Sequence, residues 1–241
     1  MSTTTPAQPV NRLLALLPSS ENERIIADGK WVDLTFGNIL WKQGDRMRHV
    51  YFPVSGFISL LITVDAHTLE VGMIGNEGMC GHSLALGVDI APLRALVQGS
   101  GTSLRLEAST FQQHLEASAA LRQLMLGYNH VLLGQLAQGA ACTRFHRIET
   151  RLARWLLMTQ DRAHGDAFDV TQDFLAFMLG VRRVGVTAAA RFLQSRALIR
   201  YSRGHVTVLD RIGLEAAACT CYRSDLDIYR DVLDAHATPR W

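Results

Sequence analysis

The chain has almost no lysine: of its 24 basic residues only Lys30 and Lys42 are lysines, and the rest are arginines. It also lacks an excess of either charge, since 22 acidic residues leave a formal net charge of +2, which excludes a nonspecific polycation. Intrinsic disorder is excluded as well, because 48% of the residues are hydrophobic and a disordered chain combines low hydrophobicity with high net charge. Four cysteines (Cys80, Cys142, Cys219 and Cys221) are too few and too scattered in 241 residues for a disulfide framework, and reduced thiols are expected. No apolar run approaches the roughly 18 residues that span a bilayer. Residues 1–10 have neither the basic nor the apolar region of a secretion signal, so a cytoplasmic protein with no membrane partner is expected.

What is present changes character along the chain. Residues 31–107 are interrupted by glycines at short intervals, among them Gly37, Gly44, Gly56, Gly72, Gly75, Gly78, Gly81, Gly87, Gly99 and Gly101. Between them lie apolar or alternating pieces at 38–42, 50–52, 57–64, 68–73 and 95–98, the pattern of an antiparallel barrel or sandwich. An amphipathic stretch at 11–27 predicts one or two short capping helices. From Ser118 the period lengthens: Leu121, Met125, Tyr128, Leu132, Gln135, Gly139 and Cys142 trace one seam along a helix of about 25 residues. Leu124, Leu126, Val131, Leu133 and Leu136 lie off that seam, so the helix needs two covers. Its own barrel supplies one and a second copy of the helix is the economical other, with Leu121, Met125, Tyr128, Leu132 and Gln135 assigned to the dimer helix.

A second helical stretch, 144–161, is expected to bury Ile148, Leu152, Trp155 and Leu156 and to show Arg147, Arg151 and Arg154, before a turn at His164, Gly165 and Asp166. The next segment carries the strongest signal. Thr171 is placed to cap a helix whose first turn holds Asp173. Leu175, Ala176, Leu179, Gly180, Val181, Val186 and Ala189 then follow at the spacing of two helices crossing steeply through a short glycine turn. Val186, Ala189, Ala190 and Leu193 share the buried side of the second helix. Val184, Thr187, Ala188 and Arg191 form the opposite stripe, with Arg182 and Arg183 at the N-terminal end that enters a DNA major groove. Residues 198–202 and 205–209 flank Arg203-Gly204, a hairpin that makes this a winged helix. Seven arginines and one acid, Asp210, lie between Arg182 and Arg211, a local charge of +6, which marks the segment as a double-stranded DNA binder.

A glycine-punctuated barrel, a long helix and a winged helix, in that order, resemble the Crp/Fnr family of bacterial transcription regulators. Gly37 with Leu40, Gln43-Gly44-Asp45, Val50-Tyr51-Phe52 with Gly56, and the stretch 170–199 carry the likeness. The resemblance implies an α+β chain divided into a cyclic-nucleotide-binding-like β-roll (1–117), a dimerisation helix (118–142) and a winged helix-turn-helix domain (143–241). It also implies a homodimer on a pseudo-palindromic operator, with RNA polymerase as a further partner and no enzymatic activity. DNA contact then falls on Arg182, Arg183, Val184, Thr187, Ala188, Arg191 and Arg203.

The family's nucleotide-binding members hold a ligand phosphate with a Gly-Glu motif and a following Arg-Ser or Arg-Thr pair. Here the first region reads Gly75-Asn76-Glu77-Gly78 and the second Leu93-Arg94-Ala95, so the hydroxyl is missing and the arginine is displaced by one place. One place in a strand turns a side chain to the other face. A degenerate effector pocket around Gly75, Glu77 and Arg94 that does not take cyclic AMP is therefore expected, with a rearranged cyclic-nucleotide site as the alternative. The family's usual Arg-Glu-x-x-x-Arg reading pattern falls on Arg183, Val184 and Ala188, which points to a different operator. No cofactor or metal is expected. Family members that sense oxygen bind an iron–sulfur cluster through N-terminal cysteines that this chain lacks, and Cys219 and Cys221 alone are not four ligands. A metal-dependent barrel enzyme of the cupin kind would have to draw on His49, His67 and His82, which include no His-x-His pair.

Overall fold

The computed structural model describes residues 11–65, 67–163 and 165–233. Segment 1–10 and His164 of the expected turn lie outside them. After a short 3-10 turn at Leu14–Leu16 and helix α1 (Ser19–Asp28), seven strands follow: β1 (Lys30–Leu34), β2 (Ile39–Trp41), β3 (His49–Pro53), β4 (Phe57–Val64), β5 (His67–Ile74), β6 (Arg94–Gly99) and β7 (Gly101–Glu107). All pair antiparallel in two sheets, β1-β7-β3 and β2-β6-β4-β5. Phe52, Ile58, Ile74, Val97, Leu104 and Leu106 close the core between them. At Gly56 a φ of 70° turns the chain where a Cβ would strike the Gly99 carbonyl oxygen, so only glycine fits.

Helix α2 (Ala108–Ala117) leads into α3 (Ala119–Phe145), whose first turn is capped by the Ser118 hydroxyl accepting from Leu121 N–H at 2.9 Å. The winged-helix region follows: α4 (Ile148–Ala163), β8 (Ala167–Asp169), α5 (Gln172–Leu179), α6 (Arg183–Ser195), β9 (Ile199–Ser202), β10 (His205–Val208), α7 (Arg211–Ala217) and α8 (Cys221–Leu233). Its core is continuous with the outer face of the four-stranded sheet, where Phe57, Leu61, Met73 and Leu96 pack in one cluster with Trp155, Leu175 and Leu179. The chain is thus α+β, an antiparallel β-roll followed by long helices and a helix-turn-helix.

The expected orientation of the long helix needs correction. Leu121, Met125, Tyr128 and Leu132 are buried against the chain's own barrel, and the Tyr128 hydroxyl accepts from Met79 N–H at 3.1 Å. Gln135 lines a polar cleft with α4 and α8. Strand β5 and α8 occupy the sides that this seam faces, and Ile228 of α8 lies against Gly134. The stripe left uncovered is Leu126, His130, Leu133, Ala137, Ala140 and Arg144, with Leu126 54% and Leu133 66% exposed. A second correction concerns Arg154. It is not displayed on α4: its side chain is 14% exposed and donates to Asp225 of α8 at 2.5 Å.

Candidate nucleic-acid interface

Helix α6 is set by its neighbours. The Thr171 hydroxyl caps α5 by accepting from Phe174 N–H at 3.2 Å, and Gly180 ends that helix at φ 62°, a conformation that costs glycine little. The chain then turns through Val181 and Arg182 into α6. Val186, Ala189, Ala190 and Leu193 are fully buried beneath it. On the outer side Val184 is 73% exposed, and Arg182, Arg183, Ala188 and Arg191 are exposed with it. Thr187 differs: its hydroxyl donates to Gln172 Oε1 at 2.6 Å, holding α6 against the start of α5. Arg183 Nε lies 3.4 Å from Asp173 Oδ1, but both side chains are well exposed, so water and salt screen the pair and leave the guanidinium available.

The wing is a hairpin of β9 and β10 with Val206 opposite Tyr201, and β8 adds a third strand with Phe168 opposite Val206. Arg203 and Gly204 both take positive φ, 50° and 81°, as the two-residue turn requires to match the strand twist. Gln194 of α6 accepts from Tyr201 N–H at 2.9 Å, tying wing to helix. Of the seven arginines counted in the sequence, Arg182, Arg183, Arg191, Arg196, Arg200 and Arg203 are exposed. Arg211 is turned inward, paired with Asp161 at 2.7 Å and Glu215 at 3.0 Å, and it fixes α7 to α4 instead of facing a nucleic acid.

Of the residues expected in an effector pocket, Gly75 and Glu77 meet each other, and Arg94 pairs with neither. Glu77 accepts from Gly75 N–H at 3.1 Å and pairs with Arg162 of α4, at 2.9 Å to Nε and 2.7 Å to Nη2. Arg94 opens β6 opposite Leu61, and its Nε is buried with no hydrogen-bond partner. The Tyr128 ring fills the space beside Gly78, where a Cβ would meet its hydroxyl. The three barrel histidines do not form a ligand group among the described residues. His49 faces Glu107 at 3.0 Å, and burial pulls His82 down to about 4.

Sequence reasoning missed two further groups. Glu70 of β5 is largely buried at the contact between the β-roll and α4, where it accepts from Trp155 Nε1 at 3.0 Å and Ser59 Oγ at 2.6 Å. Burial raises its pKa to about 7, although both hydrogen bonds act the other way. An acid within an alternating apolar strand is the signal that could have found it. The other group joins the end of α3 to the start of α8. Cys142, His146, Cys219 and Cys221 place their ligand atoms all within 4.8 Å of one another. The spacings that could have shown it are Cys-x-x-x-His at a helix end and Cys-x-Cys.

A winged helix-turn-helix on a β-roll defines the class. Residues 150–217 match the Crp-like helix-turn-helix domain family. Among solved structures the fold is similar to FixK2 from Bradyrhizobium japonicum, with a TM-score of 0.66 at 11% identity over 79% of this chain and 98% of that one. It is also similar to CLP of Xanthomonas campestris, described as a c-di-GMP responsive global regulator, with a TM-score of 0.64 at 17% identity over 79% and 99%. A third likeness is a transcriptional regulator of the Crp/Fnr family from Eubacterium rectale, with a TM-score of 0.61 at 19% identity over 88% and 97%. No curated protein matches the chain in sequence. The chain carries a Crp-like helix-turn-helix domain on the fold of the Crp/Fnr transcription regulators. Among the described residues no helix is long and apolar enough to cross a membrane.

Proposed function

We propose that the protein is a homodimeric, sequence-specific DNA-binding regulator of transcription with a degenerate effector pocket. The observation that carries this reading is the face of α6 and the wing: five further exposed arginines around a recognition stripe of Val184, Ala188 and Arg191 whose opposite side is fully buried. Arginine forks suit phosphates and the O6 and N7 edge of guanine. The second copy packs along the uncovered α3 stripe. Leu133→Glu is accordingly expected to convert dimer to monomer in sedimentation velocity while leaving the fold intact; an unchanged dimer would place the interface elsewhere.

Selection of bound duplexes from random sequence should enrich a two-fold symmetric site. Arg183→Ala is expected to relax preference at one position per half-site, a loss of about 1–3 kcal/mol of discrimination. Arg203→Ala should weaken all sequences alike and reduce the salt dependence. Equal losses on every sequence for Arg183→Ala would remove its assignment to a base.

The second reading, a regulator responsive to a cyclic nucleotide through a rearranged site, is favoured by the unpartnered buried Nε of Arg94. Its test is calorimetry with cyclic AMP, cyclic GMP and cyclic di-GMP. Heat that disappears in Arg94→Ala supports this reading; no heat supports the degenerate pocket.

A further inference from the structure

We propose that Cys142, His146, Cys219 and Cys221 form a closed tetrahedral site for a single zinc ion that clasps the end of α3 to the start of α8. Cys142 Sγ and Cys219 Sγ lie 3.5 Å apart, and Cys221 Sγ lies 3.4 Å from His146 Nδ1. Metal–sulfur bonds of about 2.3 Å and metal–nitrogen bonds of about 2.0 Å at tetrahedral angles require ligand-to-ligand edges of roughly 3.3–3.8 Å. Both pairs already meet that requirement, and because all four atoms lie within 4.8 Å of one another no remaining separation has to close by more than about 1.5 Å.

The ligand set selects the metal. Three thiolates and one imidazole are soft and borderline donors, the combination of structural zinc sites, and they do not suit magnesium or calcium. All four positions are protein side chains, so the site has no open coordination position for a reacting molecule. A two-iron cluster would need its ligands divided into pairs on separate metals, a wider spread than four atoms mutually within 4.8 Å.

The surroundings agree. The three cysteines form a small buried cluster of their own, separate from both main cores, so apolar packing does not account for their meeting. A disulfide would join two of them and leave the third thiol and the imidazole unused; all four cysteines of the chain are free. Three thiolates and a dication carry one net negative charge, and Arg151 and Arg154 line the cleft that Cys142 also lines.

Placement gives the site its consequence. Cys142 is in the last turn of α3, His146 is the residue after it, Cys219 lies between α7 and α8, and Cys221 opens α8. The ion spans the joint between the long helix and the winged-helix region, and fixes the angle at which α4 leaves α3.

The test uses the full chain, purified without a histidine tag. Elemental analysis should give one zinc per chain. After chelation under reducing conditions, cobalt(II) should restore one equivalent with the absorption of a tetrahedral thiolate site, and zinc should displace it. Zinc should also protect Cys142, Cys219 and Cys221 from alkylation, mapped by mass spectrometry. Cys221→Ser should lose most of the cobalt signal, and Cys80→Ala, outside the cluster, should keep it. Folded reduced protein that takes up neither metal, iron–sulfur absorption, or a Cys142–Cys219 disulfide in the protein as isolated would each overturn the proposal. Because the cobalt and alkylation readouts use the natural sequence, they hold even if the serine variant does not fold.

Discussion

Arg162→Ala is expected to lower the stability of the folded chain by about 3–5 kcal/mol, the usual cost of leaving one partner of a buried ion pair uncompensated. The Arg162 side chain is 13% exposed and that of Glu77 19%. Removing the guanidinium strands a carboxylate whose other polar contact is the Gly75 N–H. The Arg162 Nη1 donation to the Met158 carbonyl, at 2.9 Å, is lost with it. Urea denaturation measures the effect, and adding Glu77→Gln to Arg162→Ala should recover a large part of it. A single variant within about 1 kcal/mol of the parent would mean that another cation compensates Glu77. The pair joins the turn after β5 to α4, so the same substitution loosens the β-roll from the winged-helix region.

The second large effect is a pH dependence at Glu70. Its carboxyl has a pKa of about 7 in the fold against 4.5 in an open chain. Below about pH 4.5 the group holds its proton in both states. Between 4.5 and 7 the folded state keeps a proton that the unfolded state releases, so stability falls as pH rises through this window and is level above it. A shift of this size corresponds to about 3 kcal/mol. Glu70→Gln keeps an oxygen for the Trp155 indole and cannot ionise. The variant should match the parent near pH 4.5 and exceed it by up to about 3 kcal/mol at pH 8. Parallel stability–pH curves would show that Glu70 ionises without cost.

The parts legible in the sequence were those with a short-range cause. The crossing of α5 and α6 was readable because its residues answer a local steric demand, and the 3.5-residue period showed a long helix where α3 runs. Strands β1, β7 and β8 were not read as strands. Lys30–Leu34 is five residues with a charge at Lys30 and at Asp33, Gly101–Glu107 follows a run that reads as loop, and Ala167–Asp169 is a strand only by pairing with β10. The outward face of α3 was misassigned because periodicity gives the spacing of a stripe but not what it faces. Only the fold-back of α8, distant in sequence, decides that. The partners of Glu77 and Glu70 were illegible for the same reason: Arg162 and Trp155 each lie 85 residues further along the chain.

Helix α5 has only eight residues, yet it serves two contacts. Its inner side supports α6, while Phe174 meets Phe36 of the β-roll at 6.4 Å between ring centroids and Leu69 of β5 crowds Gly180 at its end. Substitutions here cannot be tuned for one surface without being felt at the other. The segment should therefore tolerate fewer replacements than the exposed face of α6, where substitutions cost folding little.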